Sequence, residues 1–410
     1  MSQAQTHLIV GAGHAGAKAA EALREEGFDG RIVLIGLEPE QPYERPPLSK
    51  DYLRGESPRE KTRVHPAGFY RDGEIELRTE STVERIDTDA REVVADGERI
   101  GYDRLLLTTG ADPRRLSFPG SELDGIHYLR DLADSDAIAA RLDRGGRLVV
   151  IGAGWIGAEV AASARQKGLE VTIVERGKLP LEHVLGREVG QIYADIHRDQ
   201  GVELVSGAEL EAFEGGSGVE RVRLADGRAL EADFVVVGIG VEPRTRLAEE
   251  AGIATDNGIL VSERLETNVE GVFAAGDVAN PFHPFYGRRL RVEHWANALN
   301  QPLEAARAML DKPASYERLP YFFSDQYDVG MEYSGYATDW DEVVFRGQPG
   351  EREFVAFWLD AGRVVAGMNV NVWDVNAPIQ ALIRSRQPIA AERLRDPEVP
   401  LEDLTQEGAS

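Results

Sequence analysis

Two short glycine patterns, Gly11-Ala-Gly13-His14-Ala15-Gly16 and Gly152-Ala-Gly154-Trp155-Ile156-Gly157, stand about 140 residues apart. Each follows an aliphatic run, Leu8-Ile-Val and Leu148-Val-Val-Ile. A turn of this kind between a strand and a helix aims backbone N–H groups and the positive end of the helix dipole at a pyrophosphate. The first glycine makes the turn, the second lets the ligand approach, and the third packs helix on strand. An acid at the tip of the next strand should accept from a ribose hydroxyl, and the sequence supplies Glu38 in Gly36-Leu37-Glu38 and Glu175 in Val174-Glu175-Arg176. Glu175 follows Gly152 by 23 residues, close to the expected spacing. Later, Ala274-Ala-Gly276-Asp277 puts an acid where it can bond a ribityl hydroxyl; Asp277 also reads as an N-cap of the next helix. Two pyrophosphate cradles and this acid point to a resident FAD, a visiting nicotinamide nucleotide and hydride transfer between them.

Composition narrows the chemistry further. The 410 residues include no cysteine, which excludes a redox disulfide, a peroxidatic thiol, thiolate zinc and an internal iron–sulfur cluster. The eight histidines show no metal-ligand spacing, so no metal is expected, and His14 reads as an FAD contact or a packed ring. A net charge of −25 argues against nucleic acid. No apolar run approaches the roughly 18 residues of a membrane span. The N-terminus lacks the basic and apolar regions of a signal peptide, so a cytoplasmic protein is expected. A carboxylate at Glu175 accepts from the 2′-hydroxyl of NADH and repels a 2′-phosphate by roughly 4 kcal/mol per charge at about 4 Å and an effective dielectric near 20, so NADH is expected over NADPH.

The elements that position these residues come in duplicate. Asp103-Arg-Leu-Leu-Leu-Thr-Thr109-Gly110-Ala-Asp-Pro113-Arg114 aligns without gaps with Asp233-Phe-Val-Val-Val-Gly-Ile-Gly240-Val-Glu-Pro243-Arg244. Each is preceded by a hairpin turning at Asp-Gly, Asp96-Gly97 and Asp226-Gly227. Each half therefore reads strand, glycine turn, helix, strand, hairpin, strand. The pattern predicts helices from Ala15 to about Glu26 and from about Gly157 to Lys167, and buried parallel strands at 31–35 and 170–174. Beyond Asp277, alternating aromatic segments from Tyr321 to Met368 predict an antiparallel sheet, followed by a helix near 377–386. From about Asp396 to Ser410 there is little to bury, and a loose end is expected. The fold class is α/β: two Rossmann-like nucleotide-binding domains of glutathione-reductase type plus a C-terminal α+β domain.

With Pro42-Tyr43-Glu44-Arg45-Pro46-Pro47-Leu48-Ser49-Lys50 and Arg291-Val-Glu293-His294-Trp295-Ala-Asn297-Ala added to the glycine motifs, residues 7–400 resemble the FAD-dependent NADH:ferredoxin reductases of oxygenase systems. The resemblance implies an FAD domain of residues 1–111 and 237–318, an NAD domain of 112–236 and an interface domain of 319–410. It implies that Arg45 and Lys50 contact FAD, with Lys50 near the flavin ring and paired to Glu159 as the catalytic pair. Val83 would lie by the adenine, Arg130 on the flavin and Trp295 beside the ring edge. The FAD set takes in Gly11, Gly13, His14, Ala15, Gly16, Glu38, Thr109, Gly110, Gly276, Asp277, Glu293 and His294. The nucleotide set is Gly152, Gly154, Trp155, Ile156, Gly157, Glu175 and Gly240. Glu159 also reads as a solvated helix residue, Trp295 as plain core and Arg130 as a surface cation. One departure stands out: relatives generally carry an acid where this chain has Leu37, and a charged hydrogen bond of that kind is worth roughly 1.5–3 kcal/mol.

The implied activity is hydride transfer from NADH to FAD and single-electron delivery to a small [2Fe–2S] ferredoxin or rubredoxin, from a monomer or homodimer. Arg288-Arg289-Leu-Arg291 and Arg384-Ser-Arg386 are the candidate docking patches. Two other readings stay open: a reductase with a small-molecule acceptor (oxygen, quinone or monodehydroascorbate type), and an NAD-sensing interaction flavoprotein.

Overall fold

The computed structural model describes residues 5–405, which divide into two compact units. Unit one comprises residues up to Arg45, Arg59–Asp112 and Val241–Pro320. Unit two comprises Pro46–Pro58, Pro113–Gly240 and the chain from Tyr321.

Unit one is built on five parallel strands in the order Val272–Ala274, Arg104–Leu107, Thr6–Val10, Arg31–Ile35, Ile75–Arg78. Leu8, Ile9, Ile32, Val33, Leu34 and Leu105 are wholly buried, as expected of strands covered on both faces. The first glycine helix spans His14–Glu25, one residue earlier at each end than its sequence suggests. Its buried face is mostly alanine, Ala17, Ala19, Ala20 and Ala22, and it packs on helix Trp295–Met309, whose Ala305, Ala306 and Ala308 are equally buried. Small side chains on both partners allow the two helices to approach closely. The Asp96-Gly97 hairpin has both turn residues in the left-handed region.

Unit two repeats the plan. Its parallel sheet runs Glu203–Ser206, Glu170–Glu175, Arg147–Ile151, Phe234–Val237, Ile126–Tyr128. The second glycine helix spans Trp155–Gln166, beginning two residues before its predicted start. The aromatic segments form one antiparallel sheet in the order Tyr321–Gln326, Val329–Gly335, Arg363–Val370, Glu353–Asp360, Glu342–Gln348, with helix Asn376–Ser385 after it. Helix Glu182–Asp199 lays Leu185, Val189, Tyr193 and Ile196 against Tyr333, Phe354, Trp358 and Met368 of that sheet. It is kinked at Gly186, where φ is +81° and a Cβ would meet the Trp340 ring at 2.9 Å. The Trp358 indole donates to the Leu185 carbonyl at 3.0 Å across this junction. The tail expected to be loose from Asp396 is anchored as far as Thr405, because Leu401 and Leu404 are buried; its last five residues lie outside those described. No helix among the described residues is long and apolar enough to cross a membrane.

The glycine turns decide the geometry of both sheets. A Cβ on Gly11 (φ +115°) would lie 2.2 Å from the Thr108 carbonyl oxygen, and one on Gly152 (φ +97°) 2.4 Å from that of Gly238. Third glycines are as constrained: a Cβ on Gly157 would stand 2.1 Å from the Gly152 oxygen and 3.2 Å from the Val150 side chain. At Gly154 the nearest atom is 3.9 Å away. Gly157→Ala is therefore expected to destabilise the protein by about 1–3 kcal/mol in urea unfolding, the range for overpacking, whereas Gly154→Ala should leave the midpoint nearly unchanged.

Candidate active site

In unit one the strand Thr6–Val10 delivers the chain to Gly11, and the helix starts at once, capped by Gly13. A glycine cap offers no side-chain acceptor, and the first turn holds no acid, so the first N–H groups of the helix are uncompensated. Nothing lies within 4 Å of where a Gly13 Cβ would stand, which leaves an open, positively polarised cradle. Unit two repeats this at Gly154, again without a side-chain cap or a first-turn acid. Both cradles fit a dinucleotide pyrophosphate by this test.

Around the first cradle the chain is dense and mostly uncharged. His14 is buried with its ring centroid 5.7 Å from that of Trp295, and burial holds its pKa at about 4. Burial likewise brings His294 to about 4, against a raising influence of Asp277. Trp295 is half-buried, not plain core. Burial raises the Glu44 carboxyl, opposed by Lys18 and by Trp295. Asp277 sits in a single 3-10 turn, Gly276–Val278, that follows Ala275, so it caps no helix. Gly276 N–H donates to the buried Gln301 Oε1 at 2.8 Å, and Arg291 donates to the Asp277 carbonyl at 3.1 Å while pairing with Glu293 at 2.7 Å. Thr108 donates to the Gly11 carbonyl, Thr109 to that of Arg244, and the Gly110 carbonyl accepts from Arg244 N–H. Val83 is buried at the start of strand Val83–Asp87, and Ala15 lies under Gly276.

Glu38 is already engaged. Its carboxylate accepts from the Tyr43 hydroxyl and pairs with Arg45 at 2.8 Å, while Leu37 beside it is 63% exposed. The guanidinium of Arg45 lies over the Tyr43 ring and within the field of Asp277.

The most completely buried charges are in unit two. Glu159, 4% exposed, is no solvated helix residue: Lys50 Nζ pairs with its Oε2 at 2.7 Å, Ser49 Oγ donates to the same oxygen at 2.5 Å, and Ser324 Oγ donates to Oε1 at 2.6 Å. Lys50 also donates to the Pro46 carbonyl at 3.2 Å and lies 5.8 Å from the Phe323 ring centroid. Glu175 is held at the second cradle itself, accepting from Ala153 N–H at 2.8 Å and Gly177 N–H at 2.6 Å. Trp155 stacks edge-on to Tyr193 and Phe322, and Ile156 is exposed at the mouth. Gly240, with φ +95°, accepts from Arg114 N–H. Arg130 is half-buried beside the capping box of helix Leu132–Leu142, its N–H donating to Asp134, and is not a plain surface cation.

The first arginine patch is smaller than its sequence suggests. Arg288 and Arg289 are exposed, although Arg289 also donates to the Val261 and Asn280 carbonyls; the Arg291 side chain is only 7% exposed and braces the fold. Arg384 and Arg386 stand exposed at the end of helix Asn376–Ser385. Sequence reasoning passed over Gln301, Tyr43 and Ser324. Tyr43 and Ser49 lay inside a motif already singled out; Gln301 and Ser324 carried no local signal.

Two dinucleotide cradles on duplicated parallel sheets, with a separate C-terminal sheet, define a two-nucleotide oxidoreductase. Residues 5–301 match the pyridine nucleotide-disulphide oxidoreductase family and residues 321–405 its reductase C-terminal companion, and the chain belongs to this family. It is 37% identical to a ferredoxin–NAD(P)+ reductase of Sphingomonas over 97% of both chains. It is 38% identical to the ferredoxin–NAD+ reductase component of the anthranilate 1,2-dioxygenase system of Burkholderia cepacia over 96% of both. Among solved structures, the reductase in the covalent putidaredoxin reductase–putidaredoxin complex superposes with a TM-score of 0.94 at 34% identity, covering 98% of each chain. FAD and a nicotinamide nucleotide are the cofactors of this family, and the two cradles fit them. The absence of cysteine removes the disulfide chemistry in the family's name.

His7, His14, His197 and His294 each have a pKa lowered to about 4, chiefly by burial. The unfolded chain therefore binds protons near pH 6.5 that the folded chain refuses until about 4, so stability is full above pH 6.5 and is lost as pH falls toward 4. Each such histidine contributes on the order of 3 kcal/mol across that window. The melting temperature should fall steeply from pH 6.5 to 4.5, and His197→Phe should flatten the slope.

Proposed function

We propose that this protein takes hydride from NADH onto FAD and passes electrons singly to a small [2Fe–2S] ferredoxin or rubredoxin that feeds an oxygenase, a cytochrome P450 or a ring-hydroxylating dioxygenase. The observation that carries this reading is a second, open nucleotide cradle on a cysteine-free chain whose relatives are named ferredoxin reductases. With no thiol to receive electrons, the cofactor supplies the redox chemistry and the protein supplies placement and field.

In this reading residues 1–111 and 237–318 hold FAD, 112–236 hold NADH, and 319–410 form the interface domain. The N–H groups after Gly11 and Gly152 take the two pyrophosphates. Asp277, turned by Gly276 and Gln301, accepts from the ribityl chain, and Arg45 lies at the FAD edge. Lys50, paired with Glu159 at 2.7 Å, lies in this reading beside the flavin ring, where a positive charge favours the reduced cofactor. His14 and His294, neutral at physiological pH, add no charge there.

Glu175 supports NADH over NADPH. Two backbone N–H groups fix its carboxylate and leave lone pairs for a 2′-hydroxyl, while a 2′-phosphate would meet a carboxylate that cannot turn away. The exposed Arg288, Arg289, Arg384 and Arg386 are the candidate docking cations for an acidic carrier, and a cytoplasmic location as a monomer or homodimer completes the proposal.

NADH-dependent cytochrome c reduction by the FAD-loaded protein is expected to depend strongly on an added small [2Fe–2S] ferredoxin or rubredoxin, and to fall steeply with ionic strength. Equal rates without the carrier would transfer the assignment to a small-molecule acceptor. Glu175→Ala should raise the KM for NADH about tenfold and erode the preference over NADPH, the loss of a charged hydrogen bond worth about 1.5–3 kcal/mol.

A further inference from the structure

Behind the Lys50–Glu159 pair, unit two contains a longer row of buried polar groups. Ser324, Gln326 and His197 are each no more than 1% exposed. Ser324 Oγ lies 2.6 Å from Glu159 Oε1, Gln326 Nε2 lies 3.3 Å from Ser324 Oγ, His197 Nε2 lies 3.0 Å from Gln326 Oε1, and His197 Nδ1 lies 3.0 Å from the Tyr327 hydroxyl. The row crosses from the second glycine helix through strand Tyr321–Gln326 to helix Glu182–Asp199.

Donor and acceptor chemistry gives the row one direction. The Gln326 carbonyl oxygen can only accept, so His197 must carry its proton on Nε2. Its Nδ1 is then an acceptor, and the Tyr327 hydroxyl donates to it. The Gln326 amide donates to Ser324, which spends its own proton on the Glu159 carboxylate. Four hydrogen bonds thus point the same way and end on one anion, where Ser49 and Lys50 also donate. Bonds aligned in this manner polarise one another, and in a low-dielectric interior each strengthens the next. Burial keeps His197 neutral, with a pKa near 4, which preserves its donor–acceptor role through the working pH range. The other ionisable groups facing the row are Asp325, Asp51, Arg54 and Tyr193 at its Glu159 end and Arg165 at its Tyr327 end.

We infer that Tyr327, His197, Gln326 and Ser324 form a positioning relay that disperses the charge of Glu159 and so sets how tightly it draws the Lys50 ammonium. The relay rests on the reading that Lys50 lies beside the flavin. Removing the Ser324 hydroxyl leaves Glu159 with one donor fewer, concentrates its negative charge at Lys50, and makes the ammonium less available to stabilise reduced flavin.

The test combines a readout of proton position with one of potential, on the protein purified with its FAD. Nitrogen-15 histidine NMR should show one buried imidazole protonated on Nε2 and neutral to below pH 5, absent from His197→Phe; protonation on Nδ1 would overturn the polarity of the row. Ser324→Ala should lower the flavin midpoint potential and slow flavin reduction by NADH about tenfold, with the Kd for NADH unchanged, and Ser324→Thr should restore both. If Lys50→Met lowers the potential and Ser324→Ala does not, the relay fails while the placement of Lys50 stands. If Lys50→Met leaves the flavin spectrum and potential unaltered, the placement of Lys50 fails and takes the relay with it.

Discussion

A carboxylate buried as deeply as Glu159 must be matched, because an uncompensated charge in a protein interior costs several kcal/mol even after relaxation. Here the matching groups come from two stretches of unit two: Ser49 and Lys50 from Pro46–Pro58, and Ser324 from the first strand of the antiparallel sheet. The same helix that carries Glu159 also supplies Ser163, whose hydroxyl donates to the Ser49 carbonyl, and Ser135 donates to that of Leu48. Between the helical turns Pro46–Ser49 and Asp51–Arg54, Lys50 is thus held both by the local backbone and by polar bonds to the helices that carry Glu159 and Ser135. Together they present the lysine in one orientation.

The parts of this arrangement legible in the sequence were those with a local physical cause. Gly11 and Gly152 announce themselves because only glycine tolerates their φ and the carbonyl crossing behind them. The parallel strands read as runs of branched aliphatics because both faces are covered; the alternation expected of the C-terminal strands holds only in part, since Glu353–Asp360 and Arg363–Val370 are buried on both faces. What stayed hidden depended on long-range partners. Ser324 sits in a strand whose pattern reports only which face is buried, not that a carboxylate arrives from a helix 165 residues earlier. Gln301 looks like any helix residue until the Gly276 turn is folded against it. Counting arginines overstated the first docking patch for a similar reason: whether a cation faces water or a backbone carbonyl is decided by tertiary structure.

Duplication also shows how one backbone solution serves two unequal tasks. The cradles share their uncapped helix starts, yet the surroundings differ. Buried His14 and Ala15 follow Gly13, whereas half-buried Trp155 and exposed Ile156 follow Gly154. The side chains after the turn are buried at the first cradle and partly exposed at the second, a difference that accords with the proposal of a resident cofactor at the first and a visiting one at the second. The acids differ in parallel. Glu175 is held by two backbone N–H groups, whereas Glu38 is held by the Tyr43 hydroxyl and the Arg45 guanidinium, with one bond to each carboxylate oxygen in both cases.

That pairing bears on Leu37. An acid at this position would point from the strand tip toward a ribose; leucine there is 63% exposed and offers nothing. Glu38, one residue on, accepts one bond on each oxygen, from Tyr43 and Arg45, and so keeps outer lone pairs as Glu175 does. The uncapped helix start at Gly13 adds a charge-like term directed at a phosphate, which acts independently of either side chain at the strand tip.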